Sequence, residues 1–138
     1  MRLLLDTHAL LWWQTDDERL SDRARFLIAD ETNDVFVSAA SAWEIATKQR
    51  LGKLDGVPDA ASRFTELVAA DGFSHLPISH LHSLRAGGYQ VDHRDPFDRM
   101  LAAQSELEDL VLVTRDPAFA LFGNQTLWSV SYTHLRAH

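Results

Sequence analysis

A chain of 138 residues that is 46% hydrophobic carries enough apolar side chain for one domain around one core, which excludes a disordered chain. It contains no cysteine, which excludes a disulfide framework and a thiolate zinc site and is compatible with a cytoplasmic location. The formal net charge of -7 opposes long-range attraction to polyphosphate and argues against a sequence-reading DNA-binding domain, but not against an enzyme that meets nucleic acid through a bound metal.

In chain order, Arg2 to Leu5 predicts a short buried strand ended by Asp6, and "THALLWW" a helix capped by Asp6 or Thr7. Asp6 and His8 interrupt the early apolar run, so neither a signal peptide nor a membrane span is expected. "SDRARFLIADE" has helical spacing, and Asp34 to Ser38 is a second strand with an unbroken apolar centre. "SAWEIATKQRLGKL" predicts a helix opened by a Ser41–Glu44 capping box and ended near Gly52. A further helix is expected from Pro58 to about Gly72, then a weak strand around His75 to Pro77 and a short helix closed by Gly87 and Gly88.

"DPFDRMLAAQSELED" predicts a helix with Asp95 as cap and Pro96 at its first position. Leu110 to Thr114 is a strand, "RDPAFALFG" a last short helix capped by Asp116, and "QTLW" an edge strand. Short, wholly apolar strands alternating with helices predict an α/β fold, a parallel sheet covered by helices on both faces. Residues 1–128 read as one domain. Residues 129–138, "SVSYTHLRAH", continue no pattern and read as a tail, unpaired or foreign to the domain.

The acids fall at recurring places. Asp6 and Asp116 follow strands, Glu44 sits in the expected first turn of the helix after the second strand, and Asp98 in the first turn before the fourth. In an open parallel sheet, ligands gather at the carboxyl ends of the strands, so four distant carboxylates are expected at one edge. Each acid also suits a helix cap, and spacing alone leaves capping and metal binding both open.

Four stretches in order, "LLLDTHALLWW", "VSAASAWEIATKQRLGKL", "HRDPFDRMLAAQ" and "LVTRDPAF", together resemble PIN-domain proteins, and among them the VapC-type toxins of bacterial toxin–antitoxin pairs. The resemblance runs from Met1 to about Trp128 and implies a three-layer α/β/α domain with a short central parallel sheet. It implies an endoribonuclease dependent on Mg²⁺ or Mn²⁺, leaving a 5′-phosphate and a 3′-hydroxyl. Its catalytic and metal-holding acids would be Asp6, Glu44, Asp98 and Asp116, with Thr7 and Thr114 as neighbouring hydroxyls. It also implies an RNA substrate, a homodimer and a cognate antitoxin, with no membrane partner.

Asp95, directly before Pro96, is then the better cap and Asp98 the better ligand, with Asp95 left to orient a water or an arginine. Arg99, Arg115 and Lys48 are candidates to grip RNA phosphates, against surface acid-pairing; Arg94, Arg50 and Lys53 lie near the same acids. His8 and His93 read as proton carriers or as structural histidines. Trp12, Trp13 and Trp43 read as core or interface anchors, and "ALLWW" as core or, in part, a dimer face. Two other readings stand beside the nuclease. One is a phosphatase or phosphoryl-transfer enzyme with Asp6 as nucleophile, though His8 stands where the haloacid-dehalogenase pattern wants an acid. The other is a non-catalytic binding module on the same fold.

Overall fold

A computed structural model describes residues 1–54 and 56–129. Strand β1 (Arg2–Leu5) lies at the centre of a five-stranded sheet. Its three leucines are fully buried because both faces of the sheet are covered: Leu3 and Leu5 point into one hydrophobic cluster and Leu4 into another. Helices α1 (Thr7–Gln14) and α2 (Asp22–Ala29) follow, then β2 (Asp34–Ser38), α3 (Ala39–Arg50) and α4 (Phe64–Ala70). After them come β3 (Ser74–Leu76), α5 (His80–Gly88), α6 (Pro96–Glu108), β4 (Val111–Val113), a 3₁₀ helix (Pro117–Phe122) and β5 (Thr126–Leu127). All pairings are parallel, in the order β3-β2-β1-β4-β5.

The domain is therefore a three-layer α/β/α structure with a short parallel sheet. The cluster around Leu3 and Leu5 gathers Leu10, Ala24, Ile28, Ile45, Phe64 and Val68 from α1 to α4. The cluster around Leu4 gathers Ala86, Leu101, Ala102, Ala103 and Phe119 from α5, α6 and the 3₁₀ helix. The apolar strands are short because a strand buried on both faces needs no alternation, only enough length to reach the edge where the chain turns. Among the described residues, no helix is long and apolar enough to cross a membrane.

Several boundaries differ from those expected. Helix α3 starts at Ala39, and its cap is Ser38, whose Oγ accepts from the Ala40 N–H at 2.9 Å. The Ser41–Glu44 capping box does not form, because both residues are already inside the helix and buried; Glu44 lies in its second turn. Helix α4 begins at Phe64 and not near Pro58, since residues 57–63 run as turns anchored by Gln49, which bonds Pro58 O and the Ala61 N–H. Gly87 and Gly88 close α5 from inside, with Tyr89 as its C-cap. Of the tail 129–138, residues 130–138 lie outside the described residues.

Candidate active site

Strands β2 and β4 flank β1 on opposite sides, so the crossovers leave β1 in opposite directions and a crevice opens at the carboxyl ends of β1 and β4. Asp6 and Asp116 line a cleft there. Asp6 directly follows β1, and its backbone N–H donates to Val113 O across the edge at 3.1 Å. Its side chain is 7% exposed and doubly engaged: Oδ1 accepts from the Ala9 N–H at 2.7 Å, capping α1, and Oδ2 accepts from the Thr114 hydroxyl at 2.5 Å. Asp6 is thus a cap as well as a candidate site residue. Burial raises its pKa, the Thr114 and Ala9 hydrogen bonds oppose that rise, and the charge of Glu44 adds to it.

Glu44 is buried on α3 and paired with Lys48 one turn on. Asp98, in the first turn of α6, is pushed up to about 6, by burial first and then by the charges of Asp95 and Glu44; a hydrogen bond from His93 works the other way. His93 Nε2 stands 3.0 Å from Asp98 Oδ2. The charge of Glu44 therefore acts on both Asp6 and Asp98, linking three acids from three elements. Asp116 joins through Thr114, whose Oγ1 accepts from the Asp116 N–H at 3.0 Å while donating to Asp6. Its carboxylate caps the 3₁₀ helix through the Ala118 N–H at 2.9 Å, and a cleft is lined jointly by Asp6, His8, Trp12, Arg115, Asp116 and Pro117.

The supporting residues divide. Asp95 is the cap of α6, accepting from the N–H groups of Phe97 and Asp98 at 2.9 and 3.2 Å. The Thr7 hydroxyl donates to Ser41 at 3.0 Å, tying the start of α1 to α3. Arg115 lies over the Trp12 ring at 4.6 Å, facing the cleft. Arg99 corrects the expectation of a phosphate-gripping arginine. Its guanidinium donates to the carbonyls of Ala86, Val91, His93 and Tyr89 at 2.7 to 3.0 Å and of Gly87 at 3.4 Å, so all five N–H groups are spent on the α5–α6 connection.

Among the described residues, no group of three or more His, Asp or Glu stands ready as a metal cage. Three of the four acids instead have a side-chain partner: Lys48 engages Glu44, His93 engages Asp98, and Thr114 engages Asp6. The donor chemistry still fits a hard divalent cation, since every candidate ligand atom is a carboxylate oxygen. Burial raises the pKa of both Asp6 and Asp98, and a bound cation would lower both.

The PIN domain family matches residues 3–124. The chain belongs to the PIN domain family. This PIN domain is 39% identical over 69 residues to Ribonuclease VapC16 of Mycobacterium tuberculosis (strain ATCC 25618 / H37Rv), an alignment covering 49% of each chain, so it spans about half the length of that curated relative. Its fold is similar to a chain of FitAB solved bound to an IR36 DNA fragment, with TM-score 0.61, 19% identity, and coverage of 97% of this chain and 100% of that one. It is also similar to a chain of VapBC2 from Rickettsia felis bound to a DNA fragment from their promoter, with TM-score 0.62, 16% identity and coverage of 94% and 100%. At those identities the structural likenesses speak for the fold alone.

Four contacts of this PIN domain were not legible in the sequence. Ser41 reads as half of a capping box but holds Thr7. His93 precedes Asp98 by a spacing with no helical meaning, yet the 3.0 Å contact closes across the loop before α6. Trp12 is buried at 7% exposure, but its ring also carries Arg115 on the cleft wall and stacks on His8 at 5.4 Å.

Proposed function

We propose that this PIN domain is a divalent-metal-dependent endoribonuclease, the toxin of a toxin–antitoxin pair. The observation that carries the reading is the pairing of Asp6 and Asp116 at the β1–β4 crevice, where they line one cleft and are joined through the Thr114 hydroxyl, with two further acids, Glu44 and Asp98, on the neighbouring helices α3 and α6. A phosphodiester repels attack by its own charge, and four carboxylates add to that repulsion. When bound, Mg²⁺ or Mn²⁺ supplies charge neutralisation and an activated water. Asp6, Glu44 and Asp98 would hold the ion, directly or through water, and Asp116 would hold a second ion or orient a water. Thr114 fixes the direction in which Asp6 presents its carboxylate. Arg115, steadied on Trp12, takes an RNA phosphate at the cleft wall, and Lys48 is the second cation at the site.

The likeness to a protein named a ribonuclease supports RNA as substrate, and the antitoxin partner and the dimer are proposed from the resemblance to VapC-type toxins. A basic antitoxin side chain would bind the same acid cluster and block it. The phosphoryl-transfer alternative is disfavoured because His8 stands two residues after Asp6, where that pattern wants an acid.

The test is cleavage of mixed cellular RNA with Mg²⁺, with Mn²⁺ and with chelator. Cleavage is expected only with metal and is expected to stop at near-equal molar ratio of the antitoxin. Equal cleavage in chelator would overturn the reading.

A further inference from the structure

Gln104 on α6 is fully buried, a rare place for an amide unless every polar atom has a partner. Its Oε1 accepts from the Ser38 hydroxyl at 2.5 Å, and its Nε2 donates to Pro77 O at 3.2 Å and lies 3.4 Å from His82 Nδ1. Ser38 is equally buried, ends β2, and caps α3 through the Ala40 N–H. Pro77 directly follows β3. One side chain of α6 therefore grips the carboxyl ends of β2 and β3 and the first turn of α3 together.

That grip joins the two helices that bear site acids. Helix α3 carries Glu44 and α6 carries Asp98, and the charge of the first acts on the second. Apolar packing fills the space between helices but tolerates sliding, whereas a buried hydrogen bond with no water to replace it fixes one register. We infer that Gln104 is a positioning residue, which through the Ser38 hydroxyl fixes the register of α3 against α6 and with it the relative placement of Glu44 and Asp98; their role toward a divalent cation rests on the nuclease reading above. His82, whose Nδ1 also accepts from the Ser79 N–H at 3.0 Å, orients the amide from the far side.

The absence of cysteine allows the test. Ala46 on α3 and Leu107 on α6 are exposed, and Ala46→Cys with Leu107→Cys accepts a pair of spin labels whose separation is read by double electron–electron resonance. Gln104→Met keeps the volume and removes the hydrogen bonds. It is expected to broaden or shift the α3–α6 distance and to weaken Mn²⁺ binding, measured by calorimetry, by about tenfold. Ser38→Ala severs the same bond from the other side, and the double variant is expected to be little worse than either single one. Ile28→Val, in the core beneath α2, serves as the stability control and is expected to change neither readout. An unchanged distance distribution in both Gln104→Met and Ser38→Ala, or the same broadening in Ile28→Val, would overturn the proposal. A broadened distribution in a chain whose wild type binds no Mn²⁺ would uphold the positioning role and overturn the metal reading instead.

Discussion

The Thr114 hydroxyl donates to Asp6 Oδ2 at 2.5 Å and accepts from the Asp116 N–H at 3.0 Å, so one oxygen links the ends of β1 and β4 to the acid beyond them. Thr114→Val keeps the shape and leaves a buried carboxylate oxygen and a backbone N–H without their partner. A loss of about 1–3 kcal/mol in unfolding free energy is expected by urea denaturation. Because the Thr114 bond lowers the Asp6 pKa, its removal raises that pKa further, and the acid limb of RNA cleavage should move to higher pH. A limb that stays in place would show that Asp6 ionisation does not govern activity.

Asp98→Asn is expected to lower cleavage by orders of magnitude while leaving the fold intact, since it removes a ligand charge and keeps the volume. The same substitution reads out linkage. The folded-state pKa of Asp98 is about 6, above its ordinary 3.8, so the folded chain binds the proton more tightly than the unfolded one. Its contribution to stability is fully present below about pH 4 and is lost as pH rises through about 6. The difference is on the order of 3 kcal/mol before solvent screening reduces it. In metal-free protein, wild type minus Asp98→Asn stability should therefore fall between pH 4 and 7, measured by thermal melts, and Mn²⁺ should recover the loss above pH 6. A flat difference would remove the coupling of Asp98 to its neighbours.

The two arginines separate structure from substrate binding. Arg99→Met takes donors from five carbonyls and is expected to cost about 2–4 kcal/mol of stability. Arg115→Met breaks only a stacking contact with Trp12, so stability should hold within about 1 kcal/mol. RNA affinity in an Asp98→Asn background should fall, with a shallower salt dependence. An unaltered salt slope would place Arg115 outside the RNA path.

The "ALLWW" stretch is core: Ala9 and Leu10 are fully buried, Leu11 and Trp12 are 6% and 7% exposed, and Trp13 packs against Phe73. It supplies little free surface for a dimer face. Large exposed apolar side chains sit elsewhere, among them Trp43 on α3 and Leu81 and Leu84 on α5. Sedimentation is still expected to give twice the chain mass. Leu11→Ala should leave that mass unchanged while costing about 2–5 kcal/mol of stability. Dissociation by Leu11→Ala without loss of stability would return this helix to the interface.

What the sequence determined by itself was the layer order. Unbroken apolar strands such as Leu3 to Leu5 have no other stable place than the centre of a sheet covered on both faces, and acids before and after them lie at its carboxyl edge by chain direction alone. Local chemistry also fixed the caps Asp6, Asp95 and Asp116, because a cap bonds residues two or three places away. Tertiary structure decided everything that depends on long-range pairing. Arg99 and Arg115 are alike in sequence, each beside an acid, yet one meets a ring of carbonyls and the other an aromatic face. Ser41 lost its capping role because Ser38, nearer the strand end, took it, which left Ser41 inside the helix to meet Thr7 from a distant element. Gln104 carries no local signal at all, since its partners Ser38, Pro77 and His82 come near it only when three parallel strands have fixed where α6 lies.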